Sequence, residues 1–154
     1  MCKHVVEEQL AMADIAPVIQ ERLAAGQSVR FSPRGISMLP MIRQGKDSVV
    51  LSAVRGRLKK YDIPLYRRDD GKYILHRIMD VSDTYTCIGD HQYVQEKGVR
   101  QDQVIAVVTA FYRGEKRYEV SHAGYRVYCI LWHWSRPVRH LMVRAKRWLR
   151  RHLV

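Results

Sequence analysis

The sequence predicts a mainly β, α+β fold: one sheet domain with a helix at each end of the chain. Three observations carry that prediction. Apolar residues recur at helical spacing before residue 27 and again after Pro137. Between those ends the period shifts to two, in short runs rich in Val, Ile and Tyr. Turn signals separate the runs, and Asp70-Gly71 is a strong hairpin signal. At 154 residues the chain fits a single domain that can bury a core without disulfides or metals. Its parts are an N-terminal helical segment (1–27), a β domain (28–121) and an aromatic, basic tail (122–154).

In order, Val5 to Ala25 reads as helix in two pieces, with Asp14 capping the second and Pro17 in its first turn. Val18, Ile19, Arg22 and Leu23 give a one-sided stripe expected to pack on the sheet, and Gly26 stops the helix. Nothing in this segment suggests chemistry. Val29 to Phe31 and Lys46 to Leu51 read as strands, followed by Asp62 to Arg67, where Pro64 argues for an edge position or a bulge. Tyr73 to Val81 is the return strand of the Asp70-Gly71 hairpin, and Thr84 to Ile88 follows the turn at Ser82-Asp83. A loop from Gly89 to about Arg100 then leads to Val104–Tyr112, and Arg113-Gly114-Glu115 turns into Arg117–Val120.

The formal net charge is +12, unevenly placed: no Asp or Glu follows Glu119, whereas eight Lys or Arg do. The rest of the chain is only mildly basic, which argues against a nucleic-acid groove across the domain. From Pro137, the residues Val138, Leu141, Met142, Ala145, Trp148, Leu149 and His152 share one helical stripe, with arginines and a lysine around the rest. Such a helix can lie in an anionic membrane interface, dock on its own domain with a solvated basic face, or contact phosphates. The cysteines Cys2, Cys87 and Cys129 have no metal-ligand spacing and suit a reducing compartment. The acidic N-terminus is unlike a secretory signal, and no run reaches the ~18–20 apolar residues of a spanning helix. The expectation is a cytoplasmic monomer, peripheral on the inner face of the membrane, with no cofactor, metal or nucleic-acid partner.

The segment Arg34-Gly35-Ile36-Ser37-Met38-Leu39-Pro40 holds one hydroxyl between a glycine and a proline, with apolar neighbours. Gly35 opens backbone angles closed to other residues, and Pro40 restricts Leu39, so Ser37 can be presented on a constrained turn; an ordinary turn before a strand fits the same residues. His76, in Ile74-Leu75-His76-Arg77-Ile78, shares a strand face with Ile74 and Ile78. An imidazole on an apolar face is kept neutral, as a general base near pH 7 requires; a histidine bonded to a backbone carbonyl is the plainer reading.

Gly-x-Ser-Met-x-Pro, with Gly45-Lys46-Asp47, Lys60-Tyr61-Asp62, Leu75-His76-Arg77 and Ile88-Gly89-Asp90 in that order, resembles the signal peptidase I family, whose catalytic domain is shared with LexA-type repressors. The resemblance runs from about Phe31 to about Phe111. It implies a signal-peptidase/LexA-like coiled β-sheet and a serine endopeptidase with Ser37 as nucleophile. By the same resemblance the base would be His76, as in the archaeal and endoplasmic-reticulum type, with Lys72 as the nearest other amine. Asp90 would orient the ring, with Glu96 and Asp102 as alternatives, because His91 stands where the family often has Asn. The oxyanion would meet the Ser37 N–H; the family's hydroxyl two residues earlier is Gly35 here, leaving Ser32 or Ser48 to substitute. Asp47 and Asp62 would serve turns. Substrates would be peptides or proteins bound as extended strands. The alternative is a catalytically degenerate peptide-binding module of the same fold at the membrane surface.

Overall fold

The computed structural model describes the backbone of residues 2–152 and the side chains of residues 12–150 other than Arg147. Helix α1 (Cys2–Ala24) is continuous, with Pro17 inside it, so the expected division into two pieces does not occur. Proline removes one backbone donor, but the helix is pinned by Ala16, Ile19 and Leu23, all buried on the core. The expected stripe is rotated slightly: Val18 is exposed, and Met12 packs against the core instead. Gly26, at φ 75°, ends the helix as expected. Its N–H bonds Leu23 O at 3.0 Å and the Gln27 N–H bonds Arg22 O at 3.0 Å, the paired Schellman closure.

Among the described residues nine strands follow: β1 (Val29–Phe31), β2 (Asp47–Ser52), β3 (Pro64–Arg67), β4 (Tyr73–Leu75), β5 (Arg77–Val81), β6 (Tyr85–Ile88), β7 (Glu96–Val99), β8 (Val104–Arg113) and β9 (Lys116–Glu119). They form two antiparallel sheets. The larger runs β1-β2-β8-β3-β4 with β9 also paired to β8, and the smaller runs β5-β6-β7. The fold class is thus α+β, as predicted. Pro64 opens β3, which is an interior strand and not an edge, but the register against β8 does slip between Leu65 and Tyr66. The expected loop after Gly89 contains β7, which pairs with β6.

The predicted strand Tyr73–Val81 is interrupted at His76: β4 belongs to the large sheet and β5 to the small one. Alternation nevertheless survives the break. Ile74 and Ile78 join the cluster around Tyr66, Tyr85 and Cys87, whereas Leu75 packs in the cluster around Ile19, Val49 and Leu65. Helices α2 (Ala123–Trp134) and α3 (Arg136–His152) follow β9. Tyr125 and Cys129 of α2 enter the main core, so the start of the tail belongs to the domain. Cys87 and Cys129 are free thiols, both buried; the side chains of Cys2, Arg147, Arg151 and His152 lie outside the described residues. Among the described residues no helix is long and apolar enough to cross a membrane.

Candidate active site

The residues 32–46 connect β1 to β2 through a series of turns, and this segment carries Ser37. Gly35 has φ 95°, a conformation glycine alone adopts without strain, and its N–H bonds Gln44 Oε1 at 2.9 Å. Met38, Met41 and Ile42 anchor the segment in the core, and the Leu39–Pro40 peptide bond is cis. Asp47 fixes the far end: its carboxylate takes two bonds from the Arg43 guanidinium and one from the Arg43 N–H. Asp62 accepts the Lys59 N–H at 2.8 Å. Both aspartates serve turns, as expected.

The turn after β6 supports Ser37 from the other side. The His91 N–H donates to Ser37 O at 2.8 Å. Gly89 is packed so closely that a Cβ there would lie 2.6 Å from Ser37 O and 3.0 Å from Ser37 Cβ. This glycine is needed for close approach, not for an unusual φ. Ser37 and the Gly89 turn therefore form one rigid unit.

His76 is 5% exposed, at the break between β4 and β5, with its ring edge-on to Tyr66 at 6.5 Å between centroids. Its Nδ1 is buried and has no hydrogen-bond partner among the described residues. Burial depresses the pKa of the ring to about 4, against a smaller opposing pull from Glu96. The ring is accordingly neutral at pH 7. Ser37 and His76 line one cavity of about 680 Å³. Its walls are mostly apolar, from Phe31, Ile36, Met38, Ile42, Leu65 and Leu75, with Arg34, Arg68 and Lys72 among the lining residues and no carboxylate among the described ones. Met12 and Ile15 of α1 line it too, so the N-terminal helix, read as devoid of chemistry, contributes to the site.

The carboxylate expected on His76 is elsewhere. Asp90 is 1% exposed, and both its oxygens accept from the Arg77 guanidinium, at 2.8 and 2.7 Å. Arg77 is fully buried and also donates to Tyr125 Oη, to Cys129 Sγ at 3.0 Å and to Met41 Sδ at 2.8 Å. The Asp90 backbone carbonyl accepts the Trp132 Nε1–H at 3.0 Å, and His133 Nε2 lies 3.4 Å from Oδ1. Burial alone would raise the Asp90 pKa, but Arg77 holds it below the usual carboxylate range. Asp90 is thus the counter-ion of a buried arginine and does not orient His76. A guanidinium pointing to the core side of a strand must find a carboxylate, because an unpaired buried charge costs several kcal/mol.

Of the alternatives, Asp102 is exposed and pairs with Arg100, away from the cavity. Glu96 is nearer in effect: it binds Tyr66 Oη at 2.6 Å and Arg68 through both oxygens, and its charge acts on His76 without a hydrogen bond to it among the described residues. Lys72 lines the cavity but its amine is 3.6 Å from Asp70. Ser32 lines the cavity, whereas Ser48 is buried in β2 and takes a bond from Arg30 at 2.7 Å. Arg77 and Gly89 are determinants of the site that the sequence motifs alone do not single out. Their signals were an arginine alternating with apolar residues and a glycine directly before an aspartate. Among the described residues no cluster of His, Cys, Asp or Glu could hold a metal ion. Compared with known proteins, the chain matches no family model, no curated protein and no solved structure.

Proposed function

We propose that this protein is a serine endopeptidase of signal-peptidase/LexA-like type, working through a Ser37–His76 dyad. One observation carries the reading: a serine on a rigid turn and a neutral, buried histidine line the same largely apolar cavity. The Ser37 hydroxyl attacks a peptide carbonyl carbon and passes its proton to the imidazole. The oxyanion that forms is met by the Ser37 N–H, with Ser32 as a second donor from the same wall. Collapse of the intermediate breaks the C–N bond, and the leaving amine takes the proton from the ring. Water then repeats the cycle on the acyl-enzyme and releases the acid. Asp90 takes no part beyond holding the turn on which Ser37 rests.

A second reading has one specific observation in its favour. Among the described residues His76 Nδ1 lacks the acceptor that would steady an imidazolium, as a degenerate peptide-binding module of the same fold would tolerate. A fluorophosphonate probe with mass detection separates the two. Catalytic competence is expected to give labelling of Ser37 that drops about 10²-fold or more in His76→Ala, the range of a lost general base. Absence of label on the wild-type protein, with apolar peptides still bound, would establish the binding module instead.

A further inference from the structure

We propose that α2 and α3 together dock this protein flat on an anionic membrane surface. On α2, Tyr125 and Cys129 are buried, while Val127, Ile130, Leu131 and Trp134 are exposed on the opposite side. On α3 the usual arrangement is inverted. Arg136 and Arg139 are half-buried against the end of α2, where they reach His133 and Trp132, and His140 stacks on Tyr93 at 4.6 Å between centroids, so the side of α3 that carries these groups is the covered one. The apolar stripe points away: Val138, Leu141, Met142 and Leu149 are 46–67% exposed. The alternative that the stripe packs on its own domain is excluded by those exposures.

An apolar stripe this long, continuing from one helix into the next, marks an interaction surface. Its flanks identify the occupant. Arg144 lies along one border and Lys146 along the other, where long basic side chains can keep their charges at a headgroup layer. No acidic residue follows Glu119. A second copy of the same helix would bring like charges together. A phosphate backbone would leave the apolar stripe uncovered. A protein groove that wraps a helix has no access to the inner side of α2, which is in the core. A flat apolar layer beneath a negative surface matches all of these features, and neither helix is apolar enough to cross it. Each Lys or Arg near an anionic leaflet strengthens attachment about fivefold.

The test is flotation of the full-length protein with phosphatidylcholine vesicles, with and without phosphatidylserine. Recovery with the anionic vesicles is expected, with at least a tenfold loss on omitting phosphatidylserine and in Leu141→Glu/Met142→Glu. Arg144→Gln/Lys146→Gln/Arg150→Gln is expected to lose as much, and thermal melting of both variants should match the wild type. Equal recovery with neutral vesicles, or retention undiminished in the Glu variant, would overturn the proposal. So would a wild-type dimer by light scattering that the Glu variant dissociates, which would assign the stripe to self-association. Binding to nucleic acid without flotation would assign the tail to phosphate. None of these readouts depends on Ser37 reactivity, so a failure of the peptidase reading leaves this result separate.

Discussion

In the proposed dyad, His76 is the side chain on which the chemistry would turn. Its burial disfavours the charged ring, which lowers the pKa to about 4 from the ordinary 6.5. The folded ring is therefore neutral above about pH 4, while the unfolded ring gains a proton below about 6.5. Two consequences can be measured. The rate of Ser37 labelling is expected to rise through about pH 4 and to stay flat from pH 6 to 8; a midpoint near 6.5 would mean a solvated ring and a different base. Folding stability should fall as pH drops from 6.5 to 4, because the unfolded state there binds a proton that the folded ring does not. His76→Asn should remove that part of the slope in urea titrations.

Between elements, the decisive contact is the turn after β6 against the turn that carries Ser37. Gly89→Ala places a methyl 2.6 Å from Ser37 O, so one of the two turns must move. We expect destabilisation of about 1–3 kcal/mol, the usual cost of overpacking. Labelling of Ser37 should fall about 10²-fold, as displacements near 1 Å commonly cause; unchanged labelling would show that the contact does not position the serine. Much at this scale was legible in the chain. The period-two runs, the Asp70-Gly71 hairpin and the Gly26 stop were read from local chemistry, and the structure contains all three. Strand β7 was not legible, because Glu96-Lys97-Gly98-Val99 has no apolar alternation, and only pairing with β6 makes it a strand. The continuity of α1 was hidden for a related reason. Local propensity counts Pro17 as a break, whereas Ile19 and Leu23 are held by residues far along the chain.

Across the whole molecule, the buried Arg77–Asp90 pair joins parts that sequence patterns treat as separate. Arginine is normally counted as solvent-facing, so nothing local to Arg77 announces that Tyr125, Cys129 and Met41 will surround it. Removing one partner leaves the other charged and buried; Asp90→Ala is expected to lower stability by about 3–5 kcal/mol in urea unfolding. Arg77→Met/Asp90→Leu should cost less than Asp90→Ala alone. If Asp90 instead served as a triad acid, Asp90→Ala would leave the unfolding midpoint in place and abolish labelling only. The same linkage governs where the C-terminal region could be shortened. Because Tyr125 and Cys129 cap the guanidinium, a protease nicking before α2 would uncover a salt pair built for a dry interior, and the β domain would fail with it. Cleavage after Ser135, by contrast, would remove α3 with its His140–Tyr93 stack and its Arg139 bond to Trp132 O, yet leave Tyr125 and Cys129 over the guanidinium, so trimming there would strip half of the proposed membrane face without opening the core.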